Sequence, residues 1–146
     1  MKTLNAMLID PFDESTSYVD IPKSFNQQLD VIKKIMQCSI IDTVRLSENV
    51  IAIIDDEGLL KENRYFAFVA NAIENENVDH FTYSSYAGRS VIVGLDTSEE
   101  NEGDISSLKP VEHEIKHVLD TLIFMPDGYK VEPSMGFISF DDIKFH

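Results

Sequence analysis

Apolar residues along this chain come in short blocks, and the spacing within each block predicts its element. Leu4, Met7, Leu8 and Ile9 make Lys2 to Asp10 a first strand. Pro11 ends it, and Asp13-Glu14-Ser15 turns the chain. Ser17 to Ile21 sets Tyr18 and Val19 among polar neighbours and predicts a hairpin partner, closed by Pro22. Phe25, Leu29, Ile32 and Met36 then recur at helical spacing, with Ile35 widening the stripe. Ser24 is a favourable N-cap residue, and Gln27 three positions later completes a capping-box pattern.

Ile40 to Leu46 and Val50 to Ile54 predict a second hairpin across Ser47-Glu48-Asn49. The run Val50-Ile51-Ala52-Ile53-Ile54 is apolar throughout, as expected of a central strand covered on both faces. Tyr65 to Ala70 is a further strand candidate, and Ser90 to Leu95 is a core strand. Between them lie a polar stretch, Asn71 to Asp79, expected as an exposed loop, and an aromatic, hydroxyl-rich one, Phe81 to Tyr86. Val111, Ile115, Val118, Leu119 and Leu122 form one stripe of a second helix from about Pro110 to Phe124. Pro126-Asp127-Gly128 ends it, and Gly136 to Phe140 offers a last short strand. The expected architecture is a single α+β domain over residues 1–146: a mixed, mostly antiparallel sheet with two amphipathic helices packed on it. Within it, residues 4–96 make the core, 97–107 an acidic linker, and 108–146 a C-terminal helix and short strand.

A length of 146 residues is enough to bury a real core. No apolar run approaches the ~18 residues that would span a bilayer. The first apolar run stops at Asp10-Pro11, before a signal-peptide core could form, so the expected location is cytoplasmic, with no membrane partner. The single Cys38 excludes an internal disulfide and a cysteine-rich zinc cage. A net charge of −14, from 26 acids against 12 bases, argues against direct nucleic-acid binding, which requires a basic patch. The acids serve solubility, or they imitate a nucleic-acid backbone and occupy a basic cleft on a partner.

His113-Glu114-Ile115-Lys116-His117 matches H-E-x-x-H inside the predicted second helix. In a zinc protease this spacing puts two imidazoles, here His113 and His117, on one helical face as metal ligands. The Glu between them, here Glu114, polarises the metal-bound water. Against that reading, Lys116 would put a cation beside the metal, and a third ligand is needed, with only Asp120, Asp127, Glu132, Asp141, Asp142 and His146 downstream. An ordinary solvated helix face explains the same residues. Asp55, Asp56 and Glu57 are oxygen donors suited to a hard cation. Adjacent side chains at a strand end alternate in direction, however, so a polar turn with Gly58 competes with the ion site. Tyr83, Tyr86 and Arg89 are a candidate small-ligand cluster, because a guanidinium suits phosphate or carboxylate.

Four short motifs occur in order: L-I-D-P-F-D-E from Leu8, D-T-V-R-L from Asp42, D-D-E-G-L-L-K from Asp55, and Y-A-G-R-S-V-I-V-G-L-D from Tyr86. Together they resemble a small domain family of unknown function that is common in bacteriophages, prophages and plasmids. The resemblance covers about residues 4–96, with Asp55, Asp56, Glu57, Gly58, Gly88 and Gly94 as its markers. It implies a mobile-element setting and supplies no catalytic residues.

The expected function is therefore a non-enzymatic binding protein with no cofactor. It would counteract host defence by binding a host defence protein or by sequestering a small, nucleotide-like signal. A small zinc hydrolase built on His113, Glu114 and His117 is one alternative. A passive accessory protein, working as a homo-oligomer, is the other.

Overall fold

The computed structural model describes residues 3–60, 64–69, 83–98, 100 and 104–129. Thr3–Asp10 (β1) and Ser15–Pro22 (β2) form an antiparallel hairpin, followed by the helix Phe25–Met36 (α1). Ile41–Ser47 (β3) and Val50–Asp55 (β4) form the second hairpin, and a short 3-10 turn follows at Gly58–Leu60. Tyr65–Val69 (β5) pairs with Tyr83–Ala87 (β6), and Ser90–Leu95 (β7) returns to the first sheet. Ile105–Ser106 (β8), the 3-10 segment Lys109–Ile115, the helix Lys116–Asp120 (α2) and Ile123–Phe124 (β9) complete the described chain.

Two sheets result. The larger runs β2-β1-β7-β4-β3 with β8 beside the end of β7, and the smaller runs β6-β5-β9. Every described pairing is antiparallel, and the fold is α+β. β4 lies between β7 and β3, as its unbroken apolar run requires. Period-two alternation assigns the faces of the large sheet. Leu4, Ala6, Ile53, Val91 and Val93 pack with Ile32 and Met36 of α1 on one face. Met7, Ile9, Val50, Ala52 and Ile92 pack on the other with Phe66 and Phe68 of the small sheet and with Leu108, Ile115 and Val118.

The first helix departs from its predicted stripe. Gln28, Ile32 and Met36 are its buried residues, whereas Phe25 is 73% exposed and Leu29 44% exposed. The covered stripe is Gln28-Ile32-Met36 with half-buried Val31 and Ile35 beside it, so Phe25 and Leu29 fall outside the covered face. The buried Gln28 compensates by donating from Nε2 to the Lys23 carbonyl. Ser24 makes no side-chain cap; its carbonyl accepts from the N–H groups of Gln27 and Gln28 instead. At the other end Gln37 takes a left-handed conformation, and the N–H groups of Gln37 and Cys38 donate to Lys34 and Lys33.

The second helix is shorter than its pattern predicts. Lys109–Ile115 winds as a 3-10 helix, and only Lys116–Asp120 is α-helical. Thr121 explains the end. Its hydroxyl donates to the Val118 carbonyl and accepts the Val69 N–H, which peels the chain onto the edge of β5. Ile123 and Phe124 then pair with Ala67 and Phe66 as a strand. The acidic linker also contains structure, because β8 pairs Gly94 with Ser106 and Leu95 with Ile105. The expected loop at 71–79 and the expected strand at 136–140 lie outside the described residues.

Candidate functional site

Three of the sequence motifs meet at one end of the large sheet. β1 arrives there at Asp10, and the buried Pro11 stops it. Asp10 Oδ1 accepts the N–H of Phe12 at 2.9 Å and that of Asp13 at 3.4 Å, which folds the turn around the carboxylate. Asp10 Oδ2 faces Arg89 Nε at 3.3 Å. The Arg89 guanidinium lies 4.5 Å from the centroid of the Phe12 ring, within cation–π range. One carboxylate thus shapes a turn and holds a cation, and the turn returns an aromatic ring over that cation. Phe12 remains 44% exposed.

The acidic turn after β4 is built alongside. Asp55 Oδ1 accepts the Glu57 N–H at 3.0 Å, and the Asp56 N–H donates to the Ile40 carbonyl at 3.0 Å. These bonds fix a polar turn at the mouth of the β3–β4 hairpin. Gly58 is required by packing: a Cβ there would lie 2.6 Å from the Ala87 carbonyl oxygen. Gly88 is required by conformation, with φ of 84°, and its N–H donates to the Arg64 carbonyl. Ser90 then donates its buried hydroxyl to the Ile53 carbonyl at 2.7 Å. Gly94, the last marker, lies at the far end of β7, where a Cβ would meet the Ser107 carbonyl at 2.6 Å.

The candidate ligand residues are distributed differently. Arg89 is engaged by Asp10 and Phe12. Tyr86 packs between Phe66 and Phe68, with ring centroids 5.6 and 5.2 Å away, and burial raises its phenol pKa against an opposing hydrogen bond from Ser84. Tyr83, three positions earlier on the strand, belongs to the opposite face of β6 and packs against the Tyr65 cluster as well. The three residues are therefore spread over two faces of a strand and the turn after it.

The H-E-x-x-H residues span the junction of the 3-10 segment and α2. His113 and His117 are exposed. Glu114 turns the other way: its Oε1 accepts from Ser47 Oγ at 2.9 Å, and Asn49 Nδ2 donates to its Oε2 at 3.0 Å. The same Ser47 Oγ accepts the Asn49 N–H, so Glu114 closes the β3–β4 turn onto the second helical segment. Among the described residues, no three or more His, Cys, Asp or Glu gather where they could hold a metal ion, and a zinc site needs three protein ligands. Glu132, Asp141, Asp142 and His146 lie outside the described residues.

Sequence reasoning missed Asp10, Phe12, Ser47 and Asn49 as organising residues. The available signals were local: an Asp-Pro pair closing an apolar strand, and a Ser-x-Asn turn within a hairpin. Nothing local indicates that Arg89 and Glu114 complete them from 79 and 67 residues away.

Fold and site together define a small acidic α+β domain whose motif residues engage one another at one end of a sheet. The chain belongs to the family described as a domain of unknown function, DUF3846, whose model matches residues 1–119. The match extends past residue 96 and takes in residues 113–117, so the H-E-x-x-H stretch falls inside the family domain. No curated protein and no solved structure matches the chain. Among the described residues, no helix is long and apolar enough to cross a membrane.

Proposed function

We propose that this protein is a non-enzymatic binding protein of a phage or other mobile element, acting in the host cytoplasm against host defence. It docks on a basic surface of a host defence protein, and its exposed carboxylates stand in that groove for nucleic-acid phosphates. The observation that carries this reading is the motif-bearing end of the large sheet. There Phe12 and Ile40 are exposed, at 44% and 49%, in the company of exposed Asp13, Glu14 and Asp56. Exposed apolar positions among exposed carboxylates suit a basic protein surface. The chain's net charge of −14 supports fast, salt-sensitive encounter with such a partner.

Sequestration of a nucleotide-like signal fits less well, because the Tyr86 ring and the Arg89 guanidinium are both engaged internally. Zinc hydrolysis also fits less well, because Ser47 and Asn49 hold the Glu114 carboxylate.

Calorimetric titration against purified restriction and CRISPR effector proteins tests the reading. A stable complex that weakens about tenfold or more between 50 and 200 mM salt is expected, and Phe12→Ser should weaken it further. Binding to no such effector, together with tight binding of a cyclic or linear nucleotide, would move the function to signal sequestration.

A further inference from the structure

Among the described residues β2 is an outer strand of the large sheet, and it pairs with β1 without a break from Thr3↔Pro22 to Asp10↔Ser15. The direction of its free peptide groups follows from Asn5. The Asn5 N–H donates to Ser107 Oγ and its carbonyl accepts the Leu108 N–H, so odd-numbered residues of β1 face away from β2. Antiparallel alternation leaves Leu4, Ala6, Leu8 and Asp10 to bond Ile21, Val19, Ser17 and Ser15. Thr16, Tyr18 and Asp20 therefore present their N–H and C=O groups outward.

Sheet edges are ordinarily guarded by bulges, lysines or proline. The opposite edge, β3, has such a guard: its register shifts between Arg45 and Ser47, and it carries Asp42 and Arg45. β2 has no register shift and no basic residue, and its proline is at its last position. Ser15 to Val19 carries no charge at all in a chain of net charge −14. A second copy meets no like charge from this stretch itself; the carboxylates beside it are Glu14, Asp20 and Glu112, the last accepting from the Tyr18 hydroxyl. We infer that two copies of this chain pair through β2, antiparallel, across a two-fold axis at Tyr18. In that register Tyr18 faces its own copy and Thr16 faces Asp20. Every outward donor meets an acceptor, a hydroxyl opposes a carboxylate, and the two Asp20 side chains stay apart. The pairing joins two large sheets into one, and it borders the docking turn, because the same register sets Glu14 opposite Pro22 of the second copy.

Sedimentation equilibrium of the full chain tests this. The dimer should tighten as salt rises, because screening lowers the repulsion between two like-charged copies. A complex with a basic host protein has the opposite salt dependence, so the two associations are distinguishable. Thr16→Asp opposes two carboxylates twice per dimer and should weaken it about tenfold. Thr16→Lys should tighten it, because the introduced ammonium faces Asp20. Thr43→Asp and Thr43→Lys make the same charge changes on the guarded edge and should leave the dimer unchanged. A chain that stays monomeric at millimolar concentration and high salt would overturn the inference. So would equal responses to the Thr16 and Thr43 substitutions.

Discussion

Arg89 and Asp10, 79 residues apart in sequence, are 3.3 Å apart in the fold, with the Phe12 ring over the guanidinium. The pair ties the turn before β7 to the turn after β1, and its side chains are only 18% and 11% exposed. Asp10→Ala removes the acceptor for two backbone N–H groups and leaves Arg89 unpaired, so it should cost about 2–3 kcal/mol in urea unfolding. Asp10→Asn retains an acceptor for the turn and should cost roughly half as much. Equal losses for the two variants would show that charge, not turn shape, dominates.

Gly58 and Gly94 are positions where another backbone passes too close for a side chain. A Cβ at Gly58 would sit 2.6 Å from the Ala87 oxygen, and one at Gly94 would sit 2.6 Å from the Ser107 oxygen. Gly58→Ala and Gly94→Ala should each destabilise by about 1–3 kcal/mol through overpacking. Thermal unfolding reads both, and an unchanged midpoint for either would contradict the close approach at that position.

Glu114 and His113 are neighbours with opposite expectations. Glu114→Ala strands the Ser47 hydroxyl and the Asn49 amide and should cost about 1–2 kcal/mol. His113 is exposed, and His113→Ala should change stability by less than about 0.5 kcal/mol. Zinc that raised the melting temperature of the parent chain but not of His113→Ala would return the motif to metal chemistry.

Gln37 ends α1 with φ of 55°, a conformation that costs a side chain energy and costs glycine little. Gln37→Gly should therefore stabilise by about 0.5–1 kcal/mol. A loss of stability on denaturant unfolding would mean that the glutamine side chain has a role of its own.

Tyr18 has its phenol pKa raised from the ordinary 10.0, first because its hydroxyl donates to the Glu112 carboxylate. The folded state thus favours the neutral phenol. Whatever this contact contributes is fully present below the ordinary tyrosine value and is lost as pH rises through the raised one. Beside the late phenol of the half-buried Tyr86, spectroscopic titration should show that of Tyr18 ionising late. Glu112→Gln should bring it back towards the ordinary value, and Tyr18→Phe should remove it.

Local pattern was sufficient for five strands of the large sheet but not for β8, which falls in the stretch read as an acidic linker. The apolar block of β1, the alternation in β2 and the unbroken apolar run of β4 depend on nearest neighbours and on which faces are covered. The same reasoning erred where a distant partner competed with local propensity. Phe25 and Leu29 keep helical spacing but fall outside the face of α1 that Gln28, Ile32 and Met36 bury. Leu122 to Phe124 continue a helical stripe, yet the open edge of β5 takes Ile123 and Phe124 as a strand, because unpaired peptide groups there gain hydrogen bonds that a longer helix would not supply.

The sequence by itself determined the α+β class, strands β1 to β4 and β7 of the large sheet, the acidic character and the family motifs, because these depend on composition and on contacts within a few residues. Only the tertiary structure decided what the motifs do. It joined Asp10 to Arg89, brought Ala87 against Gly58, and turned Glu114 away from its flanking histidines to Ser47 and Asn49. Each of these is a contact between strand ends or turns distant in sequence, set by sheet order and register rather than by the spacing of residues along the chain.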